Sequence, residues 1–224
     1  MSPGDPALAL DAVRSRIGRA AALAGRDPAG IELVAVSKTQ AAEAIMPLIA
    51  AGHRSFGENR VQEAEAKWPA LTSTTSGIRL HLVGRLQSNK AEAAIALFDA
   101  IHSIDRPSLV SAVTAAMART GRRPDCFVQV NIGGEPQKGG CAIADLAALL
   151  DAARAAGLPL VGLMCVPPAD CEPAPYFALL AKLADDHALA SLSMGMSGDY
   201  ETAVMLGATH VRVGTALFGA RPAI

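Results

Sequence analysis

Two hydrophobic rhythms alternate along this chain. Short, nearly continuous apolar runs are separated by longer alanine-rich stretches in which apolar positions return every three or four residues. The first rhythm is that of strands covered on both faces, as in a parallel sheet; the second is that of helices packed on such a sheet. Residues 7–24 predict an amphipathic helix, with Leu8, Val13, Ile17 and Leu23 on its apolar side and arginines between them. Strands are predicted over 31–36, 54–56, 80–84, 100–104, 126–132, 160–166, 189–194 and 210–213. Helices are predicted over 41–51, 58–68, 88–97, 108–120, 142–156, 174–188 and 199–206, followed by a last helical turn over 214–219. Gly52, Gly157 and Gly207 stop helices, and Pro69 is read as the end of the helix that begins at Glu58.

About eight short, even strand-then-helix units after one extra N-terminal helix match a single-domain (β/α)8 TIM barrel of the α/β class, spanning residues 1–224. The rival is a doubly wound open sheet. No G-x-G-x-x-G follows the first strand, which favours the barrel. The units are not sequence repeats of one another, and no linker divides the chain.

Composition narrows the setting. At 224 residues and 51% hydrophobic, the chain can bury one substantial core. Its formal net charge of −1 gives no electrostatic case for nucleic acid or an anionic membrane, and 4% aromatic content leaves few platforms for stacked bases. Neither a secretory signal nor an apolar stretch of bilayer-spanning length is visible. The expectation is a cytoplasmic protein. Cys126, Cys141, Cys165 and Cys171 form no C-x-x-C pair and read as reduced, buried thiols; the scattered histidines suggest no metal site.

In a barrel, chemistry sits where strands end. The run Ile31–Val36 has five apolar residues among six and leads directly into Ser37, Lys38 and Thr39. A lysine half in an apolar interior is pushed towards its neutral, nucleophilic form, which condenses with aldehydes. A lysine that merely caps a strand and reaches to water reads the same way in isolation. The other strand ends are polar and rich in glycine. Among them are Gly57-Glu58-Asn59, the segment from Ser193 through Met196 and Ser197 to Asp199, and Arg212-Val213-Gly214-Thr215. Loops after the last two strands of a barrel, with a short extra helix, commonly hold phosphate. An amine at one side and a phosphate loop at the other suit an aldehyde with a phosphate tail, such as pyridoxal 5′-phosphate. A Schiff-base aldolase acting on a sugar phosphate would suit the same spacing.

A family resemblance separates these readings. The chain carries Val36-Ser-Lys-Thr39, Phe56-Gly-Glu-Asn59 with Gln62-Glu63, His81-Leu-Val-Gly-Arg-Leu-Gln-Ser-Asn-Lys90 and Ser103-Ile-Asp105. Further along stand Val130-Asn131, Glu135, Lys138, Gly162-Leu-Met164, Leu192-Ser-Met-Gly-Met-Ser197, Asp199, Val211-Arg-Val-Gly-Thr215, Phe218-Gly219 and Arg221. From about residue 7 to its end the chain closely resembles the pyridoxal phosphate homeostasis (YggS/PROSC) family. Arg60 departs from the tyrosine that often follows Gly-Glu-Asn there.

The resemblance implies a barrel like the N-terminal domain of alanine racemase (fold type III among proteins that use this cofactor). It implies pyridoxal phosphate carried as a Schiff base on Lys38, with phosphate held by Ser197, Gly214, Thr215 and the N–H of Met196. Asn59 would lie near the ring, Ser193 at the site, and Arg212 opposite the pyridine nitrogen. An arginine there stays protonated and only donates, so the ring nitrogen is kept from taking a proton and the ring is a weak electron sink. A racemase needs an acid or base on each face of the substrate carbon. Here Lys38 has no visible counterpart. Tyr176 and Tyr200 fall in predicted helices as packing residues, and His81 and His102 in predicted strands as barrel-lining ones. The expected function is therefore a non-catalytic carrier in vitamin B6 homeostasis, a monomer whose partners are apo-enzymes that need the cofactor.

Overall fold

The computed structural model describes residues 6–219; Arg221 of the C-terminal motif lies outside them. Eight strands, β1 (Glu32–Val36), β2 (Ser55–Glu58), β3 (Arg79–Leu82), β4 (Ala100–Ile104), β5 (Asp125–Val130), β6 (Leu160–Cys165), β7 (Ser191–Ser193) and β8 (His210–Val213), pair in chain order. All pairings are parallel, and β8 returns to β1 with Val34 opposite Arg212, closing the barrel. Around it lie α1 (Pro6–Leu23), α2 (Ala42–Ala50), α3 (Val61–Thr74), α4 (Ala91–Leu97), α5 (Pro107–Thr120), α6 (Leu146–Ala155), α7 (Ala174–Asp186), α8 (Tyr200–Met205) and α9 (Thr215–Phe218). No helix among the described residues is long and apolar enough to cross a membrane.

The apolar strand residues that face outward meet the buried stripes of the helices, which is where most of the core lies. Near β2, Phe56 and Trp68 rings sit 5.0 Å apart, both fully buried. Inside the barrel the filling is more polar. Gly57 faces inward because the space is taken: a Cβ there would lie 2.9 Å from Val34 Cγ1.

Three expectations are corrected. The helix predicted over Glu58 to Trp68, ending before Pro69, instead begins at Val61 and continues through Pro69 to Thr74, while Glu58 belongs to β2. A proline inside a helix forfeits one hydrogen bond and costs about 3 kcal/mol. Here Trp68 and Leu71, buried on either side of Pro69, hold the helix to the barrel and offset that cost. On α1, Leu8 and Leu23 are exposed; the buried stripe is Leu10, Val13, Ile17, Ala20 and Ala21, packed against α2, α8 and α9. Of the cysteines, Cys171 is exposed, whereas Cys126, Cys141 and Cys165 are buried free thiols. Burial pushes Cys126 and Cys165 up to about 12 and Cys141 up to about 11, far from the thiolate form that reacts.

Candidate functional site

A cavity of about 430 Å³ opens at the carboxyl end of the barrel. Seven of the eight residues singled out from sequence line it: Lys38, Asn59, Met196, Ser197, Arg212, Gly214 and Thr215. Ser193 does not; it is fully buried one layer below, where its hydroxyl accepts from Arg212 Nη1 at 2.7 Å. Neither Tyr176 nor Tyr200 lines the cavity, and Tyr200 is buried on α8. His81 and His102 are fully buried inside the barrel, as their strand positions predict.

Lys38 is half-buried on a turn held from below. Lys67 Nζ, on α3, donates to Ser37 O at 2.9 Å and to Gln40 O at 3.0 Å, bracketing Lys38. The same ammonium pairs with Glu58 Oε1 at 2.7 Å, and that oxygen also accepts from Ser37 Oγ at 2.7 Å and Trp68 Nε1 at 2.9 Å. Thr39 takes φ of 63°, a strained left-handed conformation for a β-branched residue. It persists because Thr39 N donates to the Glu63 carboxylate and Thr39 Oγ1 donates to Lys38 O at 2.6 Å. Sequence reasoning missed Glu58 and Lys67 as supports of the turn. The i,i+4 spacing of Glu63 and Lys67 was a visible signal for a pair on one helix face, but nothing local ties Lys67 to Glu58.

The opposite rim is built from the loops after β7 and β8. Ser197 Oγ accepts from Gly214 N at 3.2 Å and from Ala216 N at 3.3 Å. Gly195 has φ of 90°, and a Cβ there would come within 2.5 Å of Ala203 Cβ, so no other residue fits without moving α8. Met196 N donates to Asp199 Oδ1 at 2.6 Å, so this N–H, predicted to face a phosphate, is already used. The N–H groups of Ser197, Gly198 and Thr215 have no hydrogen-bond partner among the described residues, and all three residues line the cavity.

Arg212 forms the floor. It is 5% exposed, and Nη1 and Nη2 donate to Ser193 Oγ at 2.7 Å and Cys165 O at 2.9 Å. Both partners are neutral, and among the described residues no carboxylate forms an ion pair with it. Burial pulls its pKa down from the usual value, opposed by the nearby Cys165 and Asp199. Guanidinium remains the charged form in proteins. A buried cation satisfied by neutral acceptors alone is costly, and its remaining donor capacity faces a cavity with three further unpartnered donors. That set fits a molecule with a ring acceptor and a phosphate.

A second, larger groove of about 640 Å³ adjoins this one and shares Asn59. Arg60, Arg85, Lys90 and Arg106 line it, and Asp105 pairs with Arg106 and, at 3.8 Å, with Arg85. Gly84 fixes the wall between them, since a Cβ there would lie 2.2 Å from Asn59 O.

The closed parallel barrel, with Lys38 after β1 and the open N–H groups after β7 and β8, places the chain in the alanine racemase N-terminal domain class. The family model of that description matches residues 8–222. The Pseudomonas aeruginosa pyridoxal phosphate homeostasis protein is 42% identical over 215 residues, covering 93% of each chain. The Escherichia coli K12 protein of the same name is 39% identical over 224 residues, 95% of each. The chain belongs to this family of pyridoxal phosphate homeostasis proteins. PipY of Synechococcus elongatus, solved without and with pyridoxal phosphate, is 40% identical and superposes with TM-scores of 0.79 and 0.77. These matches cover 91% of this chain and 99% and 100% of those chains. Alanine racemase of Clostridium difficile, at 14% identity and a TM-score of 0.73, shares the fold over 98% of this chain and 57% of its own.

Proposed function

We propose that the cavity binds pyridoxal 5′-phosphate through Lys38 and that the protein holds and releases this cofactor in vitamin B6 homeostasis without strong catalysis of its own. The observation that carries the reading is the content of one 430 Å³ space: an amine, a buried arginine lacking a carboxylate, and three unpartnered N–H groups. When bound, the cofactor supplies an aldehyde carbon for an amine and a ring that withdraws electrons. Lys38 Nζ is the attachment point. At the Gly214–Thr215 rim the N–H groups of Ser197, Gly198 and Thr215 and the Thr215 hydroxyl would hold the phosphate, Asn59 would flank the ring, and Arg212 would donate to its nitrogen. Because Arg212 keeps its protons, it restrains that nitrogen from gaining one and weakens the ring as an electron sink.

The carrier half of the reading is supported by what else lines the cavity. Among the described lining residues Lys38 and Arg212 are the only ionisable side chains, and an arginine keeps its proton; no His, Tyr, Cys, Asp or Glu joins them. Racemisation requires an acid or base on each face of the reacting carbon. PipY, solved with pyridoxal phosphate bound, and the relatives named for its homeostasis support the ligand. On this reading the protein is cytoplasmic and monomeric, and apo-enzymes receive the cofactor from it.

The test is direct. Purified protein incubated with pyridoxal phosphate and reduced with borohydride should gain the mass of one reduced cofactor, mapped by peptide analysis to Lys38, and Lys38→Ala should gain none. An adduct elsewhere, or none at all, would overturn the site. Chiral analysis after incubation with a panel of L-amino acids addresses the carrier half: turnover of roughly 1–1000 per second would make the protein an enzyme.

A further inference from the structure

Beneath the cavity, side chains from five strands form one hydrogen-bonded line through the barrel. Arg212 Nη1 lies 2.7 Å from Ser193 Oγ, which lies 2.8 Å from His102 Nδ1. His102 Nε2 is 3.0 Å from His81 Nδ1, and His81 Nε2 is 3.1 Å from Glu32 Oε1. Ser193, His102 and His81 are fully buried, whereas Glu32 is partly open to solvent at the other end of the barrel.

The direction of this line is fixed by its ends. A guanidinium only donates, and an ionised carboxylate only accepts. Ser193 therefore accepts from Arg212 and gives its single proton to His102 Nδ1. His102 must then carry its proton on Nε2 and donate to His81 Nδ1. His81 in turn carries its proton on Nε2 and donates to Glu32. Both rings are neutral, because burial disfavours the imidazolium form at each. Ser55 agrees with this polarity: its hydroxyl donates to Glu32 Oε1 at 2.7 Å, leaving its oxygen to accept from His81 Nε2 at 3.1 Å. Glu32 is also faced by His210 Nε2 at 3.1 Å and by Arg79 Nη1 at 3.2 Å, and Arg79 pairs onward with Asp125. Phe127 stacks on His102 at 4.2 Å and keeps the ring from turning. Consecutive bonds of one polarity strengthen each other in a low-dielectric interior.

We infer that Ser193, His102, His81 and Glu32 are positioning residues that act through Arg212, coupling the charge on Glu32 at the amino-terminal end of the barrel to ligand binding in the cavity at the other. The identity of the ligand rests on the reading above; the coupling does not. Ring nitrogen NMR of the ligand-free protein should show both His81 and His102 protonated on Nε2. Glu32→Gln removes the anion that sets the polarity, and Ser193→Ala cuts the line next to Arg212. In either variant the Arg212 guanidinium nitrogen signals should move. Added pyridoxal phosphate should shift the His102 and His81 signals in the wild-type protein and leave them unmoved in Ser193→Ala. Each single substitution should weaken binding roughly 5-fold, at the low end of typical site-to-site coupling. The double substitution should weaken it no further than the larger single one, because both break the same line; two independent packing defects would add. A proton on Nδ1 of His102, Arg212 signals indifferent to Glu32→Gln, or additive losses would each overturn the inference. Should the wild-type protein fail to bind pyridoxal phosphate, the cofactor reading falls, and the Arg212 and histidine signals of the ligand-free variants still decide the coupling.

Discussion

Two cations among the described residues, Lys67 on α3 and Arg212 on β8, have side chains withdrawn from solvent, and they are treated in opposite ways. Lys67, beneath the Lys38 turn, faces Glu58 at 2.7 Å and donates to two backbone carbonyls besides. Arg212, across the cavity, has a hydroxyl and a carbonyl and no carboxylate. Lys67 is neutralised inside the fold and so serves the fold, fixing where Lys38 stands. Arg212 has no carboxylate in ion-pair contact among the described residues and borders open space, an arrangement that would stabilise a bound acceptor on the proposed reading. The difference separates a cation whose donors are spent on the fold from one that keeps donor capacity open to the cavity, although both side chains are withdrawn from solvent and both lie near the mouth.

The strongest way to break this contrast is Glu58→Ala. It leaves Lys67 buried without a counter-charge and strips Ser37 and Trp68 of their acceptor, so unfolding free energy should fall by about 3–5 kcal/mol. Denaturant titration measures it, and a loss below about 1 kcal/mol would mean the pair is dispensable. Gly84→Ala strikes the strand end carrying Glu58 and Asn59: its Cβ would lie 2.2 Å from Asn59 O, and no flexible side chain is there to give way. Overpacking of this kind typically costs about 1–3 kcal/mol. Covalent capture of pyridoxal phosphate should slow in the same variant, because Asn59 moves with the loop.

Acid sharpens the comparison further. Burial lowers the pKa values of His81, His102 and His53, the last to about 4. Their folded values lie below the unfolded value of about 6.5, so the unfolded chain binds more protons as pH falls. The stability these groups protect is whole above about pH 6.5 and is lost progressively below it. Thermal unfolding followed from pH 8 to 4 should show a plateau and then a decline. His53→Gln should flatten that decline by about 3 kcal/mol at pH 4; an unchanged slope would show that His53 takes up its proton without unfolding.

The alternation of strand and helix was legible because each strand is a nearly unbroken apolar run and each helix a periodic one. The lining of the candidate cavity was legible for a related reason. Lys38 and Arg212 interrupt or end such runs, and a charge at that position needs an explanation. What the sequence hid was tertiary. The partner of Glu58 lies on the next helix, beyond a loop, and no periodic signal links the two. Pro69 broke the helical pattern on paper, but the buried Trp68 and Leu71 carry the helix across it. Leu8 and Leu23 looked like core positions because α1 has apolar residues on more than one face, and only its contacts with α2, α8 and α9 choose the stripe that is covered. The line from Ser193 to Glu32 gathers residues from five strands, which barrel closure alone brings together.

Arg212→Met should have the smallest effect on the free protein, and that is what makes it informative. Methionine is flexible and apolar and can fill the space left by the arginine stem. Removing a buried charge that lacks a carboxylate relieves its desolvation, while Ser193 Oγ and Cys165 O each lose a donor. These terms oppose each other, so unfolding free energy in the absence of ligand should change by less than about 1 kcal/mol. Ligand-induced stabilisation is another matter. Saturating pyridoxal phosphate should raise the stability of the wild-type protein by mass action, and the variant should lose most of that increment because, in the proposed site, a thioether would replace the guanidinium that donates to the ring. Calorimetry with and without the cofactor reads both quantities on one sample. If Arg212→Met destabilised the empty protein as severely as Glu58→Ala, the arginine would be a structural cation like Lys67, and the contrast between them would be lost.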